Sequence, residues 1–175
     1  MAVALLRGIN VGGKNLLPMK ALAEIFAGAG CTEVKTYIQS GNVVFRYGRK
    51  KDVAGVVRAE IEKQFGLKVP VVVRSAAEMV KVLAENPFLD GDIDEAWLHV
   101  MFLESEPTAE MVAELDGGRS KPDEFVVKGR EVYLHLPNGA AKTKLTNAYF
   151  DSKLKTVGTQ RNWRTVKTLA EMMGA

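Results

Sequence analysis

The sequence contains few of the cysteines and histidines that disulfides and common metal sites require. Its 175 residues include one cysteine, Cys31, which excludes an intramolecular disulfide and a cysteine-rich zinc site. There are two histidines, His99 and His135, and two imidazoles without a third ligand make a poor metal site. We therefore expect no bound metal and no cofactor.

Long apolar runs are also missing. No stretch approaches the roughly 20 apolar residues that cross a bilayer, and the N-terminal segment has neither the basic region nor the cleavage site of a secretory signal. We therefore expect a cytoplasmic protein with no membrane partner. The sequence also lacks Gly-x-Ser-x-Gly, which carries the nucleophile of many hydrolases, and HExxH, the zinc-protease motif. Neither motif therefore assigns a catalytic residue.

The overall composition of the chain is typical of a soluble globular protein. Hydrophobic residues make up 47% and charged residues 26%, enough to bury a core. The net charge of +3 is unevenly distributed: residues 78–116 carry −10, whereas residues 1–77 and 128–168 each carry +7. This pattern disfavours a general polyanion binder, and it leaves open a localised anion site or a self-associating surface.

The apolar periodicity alternates between two and about 3.6 residues, which predicts strands alternating with helices. Residues 1–75 follow the order βαββαβ of a ferredoxin-like unit, and residues 76–175 repeat βαββα before a short strand and a final helix. We therefore predict an α+β fold of two ferredoxin-like βαββαβ-type units packed together, with an extra C-terminal helix. The predicted domains are residues 1–75 and 76–175.

The glycine-rich segment after the first strand matches the spacing GxxxxGK at residues 8–14. Two features argue against a phosphate-loop NTPase. Asn15 lacks the hydroxyl that ligates magnesium, and Pro18 places the helix start about four residues too late for its N–H groups to reach a phosphate. The segment is either a turn that presents Arg7, Asn10, Lys14 and Asn15 to an anion, or a purely structural turn.

A second polar cluster precedes the last helix. Thr159 is predicted to cap this helix, which would place Arg161 and Asn162 beside unpaired N–H groups that favour an anion. The alternative is that Thr159 only caps the helix and Arg161 is solvated. We also predict a helix over residues 142–150.

The two histidines could share a surface of the second sheet. If its first and third strands pair in parallel, His99 and His135 lie on one face with Trp97 and Tyr133. RNA-recognition modules use such an uncovered aromatic face. The alternative is that this face is covered and both histidines are buried in an interface.

Five segments carry a resemblance that extends over almost the whole chain. They are LLRGINVGGKN (5–15), TYIQSGNVVF (36–45), NPF (86–88), LPNG (136–139) and TQRNWRTV (159–166). In these segments the sequence resembles the bacterial proteins grouped as domain of unknown function 1697. The resemblance implies an α+β fold of paired ferredoxin-like units, and it brings no established activity, substrate or catalytic residue.

The leading functional hypothesis is a small anionic ligand, phosphate-bearing or nucleotide-like, bound between the glycine turn and the start of the C-terminal helix. The expected ligand residues are those that lie in turns or at a helix start: Arg7, Asn10, Lys14, Asn15, Gln39, Ser40, Asn42, Arg161 and Asn162.

Three alternatives remain open at this point. The first is a nucleic-acid module that uses the sheet face of Trp97 and Tyr133. The second is a metal-independent enzyme with His99 or His135 as acid or base, and the sequence does not decide whether the protein is catalytic. The third is self-association of the acidic middle with the basic ends.

Overall fold

The computed structural model describes residues 1–48, 52–89 and 91–175. In the first half of the chain strands and helices alternate, as the change of apolar period between two and about 3.6 residues predicts. They are β1 (Ala2–Leu6), α1 (Met19–Gly28), β2 (Thr32–Tyr37), β3 (Asn42–Arg46), α2 (Val53–Phe65), β4 (Val71–Ser75) and α3 (Ala76–Ala84).

The second half repeats this order after a short 3₁₀ turn at Glu95–Trp97. Its elements are β5 (Leu98–Leu103), α4 (Ala109–Ala113), β6 (Glu124–Lys128), β7 (Glu131–His135), α5 (Asn147–Leu154), β8 (Gly158–Asn162) and α6 (Trp163–Met173). Among the described residues, no helix combines the length and the apolar composition that crossing a membrane requires.

Helix α2 shows how local sequence sets the ends of an element. At its start the Asp52 carboxylate accepts a hydrogen bond from the backbone N–H of Gly55 at 2.8 Å. At its end Gly66 adopts a left-handed conformation with φ of 66° and donates its N–H to the carbonyl of Glu62. An aspartate at the start and a glycine just after the end are typical of these two helix positions.

Each half forms a four-stranded antiparallel sheet with the same strand order. The orders are β2-β3-β1-β4 and β6-β7-β5-β8, which are those of a ferredoxin-like unit. The predicted α+β fold of two βαββαβ-type units followed by a C-terminal helix is therefore confirmed. Contacts within the chain divide it into residues Met1–Val80 with Leu169–Ala175, and residues Lys81–Thr168. The predicted boundary after residue 75 stays a prediction.

The expectation that the first and third strands of a unit pair in parallel is wrong. β1 pairs with β3, and β5 with β7, in antiparallel register. The reason is topological. The third strand follows the second through a tight hairpin and reverses direction, whereas the helical crossover leaves the first two strands pointing the same way.

The first unit packs one face of its sheet against α1 and α2. Alternate residues of β1 point to this face and are completely buried, as are Phe26 of α1 and Ile61 of α2. A buried side chain of this size contributes about 1.5–3 kcal/mol. The opposite face of β1 is buried too, because all five of its residues have no exposed surface.

The second unit has an equivalent core beneath α4 and α5. Met101 and Leu103 of β5 lie against Phe150 and Leu154 of α5, and all four are buried. The predicted helix over residues 142–150 is wrong in its limits. Thr146 is the N-cap and accepts from the N–H of Tyr149 at 3.2 Å, so the helix begins at Asn147.

The last strand of each unit joins its following helix in the same way. Arg74 and Arg161 each donate from Nη1 to the carbonyl of the preceding residue, at 3.0 and 2.8 Å. The next residue then caps the helix: Ser75 Oγ accepts from Glu78 N–H, and Asn162 Oδ1 from Thr165 N–H. The C-terminal helix α6 is therefore the counterpart of α3.

We expect Gly41→Ala to destabilise the first unit by about 2–5 kcal/mol. Gly41 has φ of 78°, and an added Cβ would lie 2.7 Å from the Cβ of Leu6. The left-handed backbone costs roughly 1–2 kcal/mol with a side chain, and overpacking adds about 1–3 kcal/mol. The free energy of unfolding in urea measures the effect.

Gly66→Ala is the matched control for this substitution. Gly66 has φ of 66°, but an added Cβ would meet nothing within 4 Å. It should lose only the roughly 1–2 kcal/mol of the backbone term. Equal losses in the two variants would contradict the packing argument at Gly41.

Candidate functional site

The glycine loop, residues 7–17, follows the buried strand β1 and is closed by its own backbone. The N–H of Asn10 donates to the carbonyl of Asn15 at 3.1 Å, and the N–H of Lys14 donates to the carbonyl of Val11 at 3.0 Å. Its residues with positive φ are Gly8, Asn10, Gly12, Gly13 and Asn15. Since glycine and asparagine adopt this conformation most readily, the backbone explains their frequency in the loop.

Asn10 holds the loop through both ends of its side-chain amide. Its Oδ1 accepts from the N–H of Leu17 at 2.8 Å, and its Nδ2 donates to the carbonyl of Leu17 at 2.9 Å. The same Nδ2 lies 3.0 Å from the carbonyl of Gln39 in the hairpin turn, residues 38–41. Asn10 therefore ties the glycine loop to this turn.

Two further asparagines have similar bonds. Asn15 Nδ2 donates to the carbonyl of Gly8 at 2.8 Å, which joins the two arms of the glycine loop. Asn42 is completely buried, and its Nδ2 donates to Tyr37 O at 3.2 Å and to Ser40 Oγ at 2.9 Å. These asparagines hold the shape of the loop and of the turn.

The two cations of the loop differ in exposure. Lys14 is exposed and Arg7 is half-buried, with the N–H of Arg7 bonded to the carbonyl of Pro70. Helix α1 begins only at Met19, with Pro18 as its N-cap residue. The lysine is therefore not at the helix start, and the loop lacks the geometry of an NTPase phosphate loop.

Three exposed apolar residues lie beside these polar groups in the sequence, and we call them the apolar rim. Val11 and Leu16 are each 66% exposed, and Ile38 of the hairpin turn is 53% exposed. Ile38 has φ of 47°, a conformation that a β-branched residue adopts only under strain. Val11 and Ile38 flank the Asn10–Gln39 hydrogen bond in sequence, so both lie at the junction of loop and turn.

Arg161 and Asn162 belong to the second unit, and the predicted helix start around them is wrong. Residues Gly158–Asn162 form β8, so Thr159 is a strand residue and the N-cap is Asn162. Arg161 donates from Nη1 to Thr159 Oγ1 and to Gln160 O, both at 2.8 Å. Burial lowers the pKa of Arg161 to about 10, and the guanidinium remains charged at neutral pH.

The predicted site residues therefore fall into two groups. The first unit brings together those of the glycine loop and the hairpin with its flanking residue, which are Arg7, Asn10, Lys14, Asn15, Gln39, Ser40 and Asn42. Arg161 and Asn162 are adjacent at the end of β8. The predicted role of all nine in ligand binding stays a prediction.

The two histidines do not share a face. His99 lies opposite Leu134 and His135 opposite Leu98 in the β5–β7 register. Opposed residues lie on the same face and successive residues alternate, so the two rings point to opposite sides of the sheet. His135 Nδ1 is 3.5 Å from Glu124 Oε2, whereas His99 Nδ1 is 3.4 Å from the carbonyl of Trp97.

Of the two alternatives for the sheet face that carries Tyr133, the uncovered one is wrong and this face is covered. Tyr133 is 1% exposed, its hydroxyl donates to the carbonyl of Val82 at 3.3 Å, and burial raises its pKa. Val100 and Phe102 on the same face are completely buried. Trp97 is 40% exposed, but it lies in the 3₁₀ turn before the strand.

The sequence does not predict one further polar cluster. A cavity in the second unit is lined by Arg119, Lys121, Asp123 and residues of the loop 138–144. In the sequence, the basic residues of that loop stand out only as part of a positively charged stretch. Within the described ranges, no three His, Cys, Asp or Glu side chains are grouped so that they could hold a metal ion.

Comparisons with known proteins add the following findings. The model of a family described as protein of unknown function (DUF1697) matches residues 1–133. The curated proteins contain no match. Among solved structures, the chain is similar to the conserved bacterial protein SP0830 from Streptococcus pneumoniae, with 22% identity and a TM-score of 0.75 over 99% of this chain and 98% of that chain. This likeness shows the fold alone.

We expect Asn10→Asp to loosen the glycine loop. The substitution keeps the acceptor for Leu17 N–H but replaces the donor to two carbonyl oxygens by a charged oxygen. The lost bonds and the repulsion should cost about 1–3 kcal/mol in the free energy of unfolding. Amide hydrogen exchange should also accelerate in residues 8–17, and unchanged exchange there would contradict the tethering role.

The pH dependence of stability should contain a contribution from His99. Burial lowers the pKa of His99 in the folded chain below its ordinary value. As pH falls through about 6.5, the unfolded chain therefore takes up a proton that the folded chain does not, and the unfolding free energy declines. His99→Gln should flatten the profile below about pH 6.5 in denaturation experiments, and an unchanged slope would contradict this assignment.

Proposed function

The chain belongs to the DUF1697 family of proteins of unknown function, and we propose that it binds a small anionic ligand, phosphate-bearing or nucleotide-like, at its glycine loop. Neither the family nor the similar Streptococcus pneumoniae protein is described with a ligand. The proposal therefore rests on the geometry of the loop.

The observation that carries the proposal is the hydrogen bond from Asn15 Nδ2 to the carbonyl of Gly8, at 2.8 Å. It joins the two arms of the loop. Asn15 follows Lys14 in the sequence and Gly8 follows Arg7, so the bond lies next to both cations. The bond thus keeps two cationic residues on one small, preorganised loop. A phosphate that contacts both would form charge-assisted hydrogen bonds, which are about twice as strong as neutral ones.

The neighbouring groups suit a nucleotide-like ligand. Gln39 and Ser40 are exposed on the hairpin turn beside the loop and offer donors and acceptors. The rim of Val11, Leu16 and Ile38 offers apolar surface of the kind that contacts a base or another flat group. In this proposal Asn10 and Asn42 position the site, because their amides already bond within the protein.

The predicted role of Arg161 and Asn162 in ligand binding is tested apart from the glycine loop, because both residues belong to the second unit. Arg161→Ala would remove bonds to Thr159 and Gln160, so its effect on binding would be mixed with an effect on folding. Asn162→Ser is the cleaner variant, since serine keeps an oxygen that can cap α6 and removes the amide.

The test is a calorimetric titration of the whole protein with inorganic phosphate and with ATP. Lys14→Gln and Arg7→Gln should each raise the dissociation constant for ATP about tenfold, because each removes a hydrogen bond to a charged group. Asn162→Ser tests the predicted role of Asn162, and an unchanged affinity for ATP would contradict that role. Affinity should also fall with added salt.

Lys20→Gln is the matched control. Lys20 is exposed on α1, in the same unit, and the substitution changes the charge by the same amount. It should bind ATP like the wild type. Absence of binding by the wild type, or equal losses in Lys14→Gln and Lys20→Gln, would contradict a site at the glycine loop.

A further inference from the structure

The second unit contains a cavity of about 400 Å³, which we call the basic cavity. It lies between residues 118–123, which precede β6, and residues 138–144, which precede α5. Its volume is within the range of small-molecule sites, about 300–1,000 Å³. The glycine loop belongs to the other unit and contributes nothing to it.

The charge of the basic cavity is strongly one-sided. Four of its lining residues are cations, and they face one carboxylate, Asp123. The cations are Arg119, Lys121, Lys142 and Lys144. A doubly charged anion is therefore favoured over a neutral or singly charged ligand, and an arginine among lysines suits a phosphate group.

Hydrogen bonds fix the walls of the basic cavity. Ser120 Oγ donates to Asp123 Oδ2 at 2.7 Å and accepts from the backbone N–H of Lys144 at 2.9 Å. Arg119 Nε donates to the carbonyl of Lys144 at 3.0 Å, and its guanidinium carbon lies 4.2 Å from the ring centre of Tyr149. The two loops are thus joined before any ligand arrives.

Asp123 supplies a second, independent indication of a ligand. The residue is only 4% exposed, and within the described part of the chain its Oδ1 has no hydrogen-bond partner. A buried acceptor without a donor costs about 1–3 kcal/mol, more when it is charged. Since Asp123 lines the cavity, a hydroxyl group of a ligand would supply the missing donor.

From these observations we infer that the basic cavity binds a sugar phosphate. The phosphate lies among Arg119, Lys142 and Lys144, and a sugar hydroxyl donates to Asp123 Oδ1. Ser120 positions the carboxylate through its bond to Oδ2. The carboxylate selects for hydroxyl groups, because a phosphate oxygen in that place would be repelled.

The test measures dissociation constants of the whole protein for ribose 5-phosphate and for methyl phosphate, a monoester that lacks hydroxyl groups. Wild type should bind ribose 5-phosphate at least about fivefold more tightly than methyl phosphate. The double variant Lys142→Gln/Lys144→Gln should weaken ribose 5-phosphate about tenfold or more. Asp123→Asn should reduce the preference for ribose 5-phosphate to less than about twofold.

One control variant separates this site from general effects of charge. Lys153→Gln lies on α5 outside the cavity, so it should not change the affinity for ribose 5-phosphate. Equal affinity of wild type for the two probes would overturn the inference, even if Asp123→Asn does not fold. So would unchanged binding by the double lysine variant, or an equal loss in Lys153→Gln.

Discussion

The complete burial of the central strands is the constraint on which the rest of the structure depends. β1 has no exposed residue, and β5 is buried at every position except His99. A strand buried on both faces must be largely apolar, so it carries few polar side chains for chemistry. Polar groups therefore gather mainly where the chain leaves such a strand or in the loops between elements. The glycine loop begins at Arg7, the first residue after β1, for this reason.

The asparagine side chains of the glycine loop mainly form hydrogen bonds with the backbone of the loop itself. Twelve residues separate β1 from α1, and several of them turn the chain with positive φ. Such a loop exposes backbone carbonyls and N–H groups that need partners. Asn10 and Asn15 supply them, and both also accept the left-handed backbone. The cations Arg7 and Lys14 are then held on a fixed frame, and a ligand would meet an ordered loop instead of a flexible one.

Much of the fold is predictable from the sequence, and the failures have local causes. The switches of apolar period identify both units, and Asp52 and Gly66 mark the ends of α2. The short strand before the last helix is predicted, but its limits are misread because Thr159-Gln160-Arg161 has no apolar alternation, although these residues pair with β5. The roles of Asn10 and Asn42 as tethers depend on partners that only the folded chain defines. The basic cavity is missed because its lining comes from two separate segments.

Each unit has the same kind of junction between its last strand and the following helix, but the loops of the two units differ. The two units can therefore bind different ligands. In both, an arginine at the end of the last strand bonds to the preceding carbonyl, and the next residue caps a helix. Twelve residues link β1 to α1 but only five link β5 to α4, so the second unit has no glycine loop. Conversely, three residues link α1 to β2 but ten link α4 to β6, and this longer connection forms one wall of the basic cavity. Each candidate site thus occupies a connection that is long in one unit and short in the other, so a ligand of one unit need not resemble a ligand of the other.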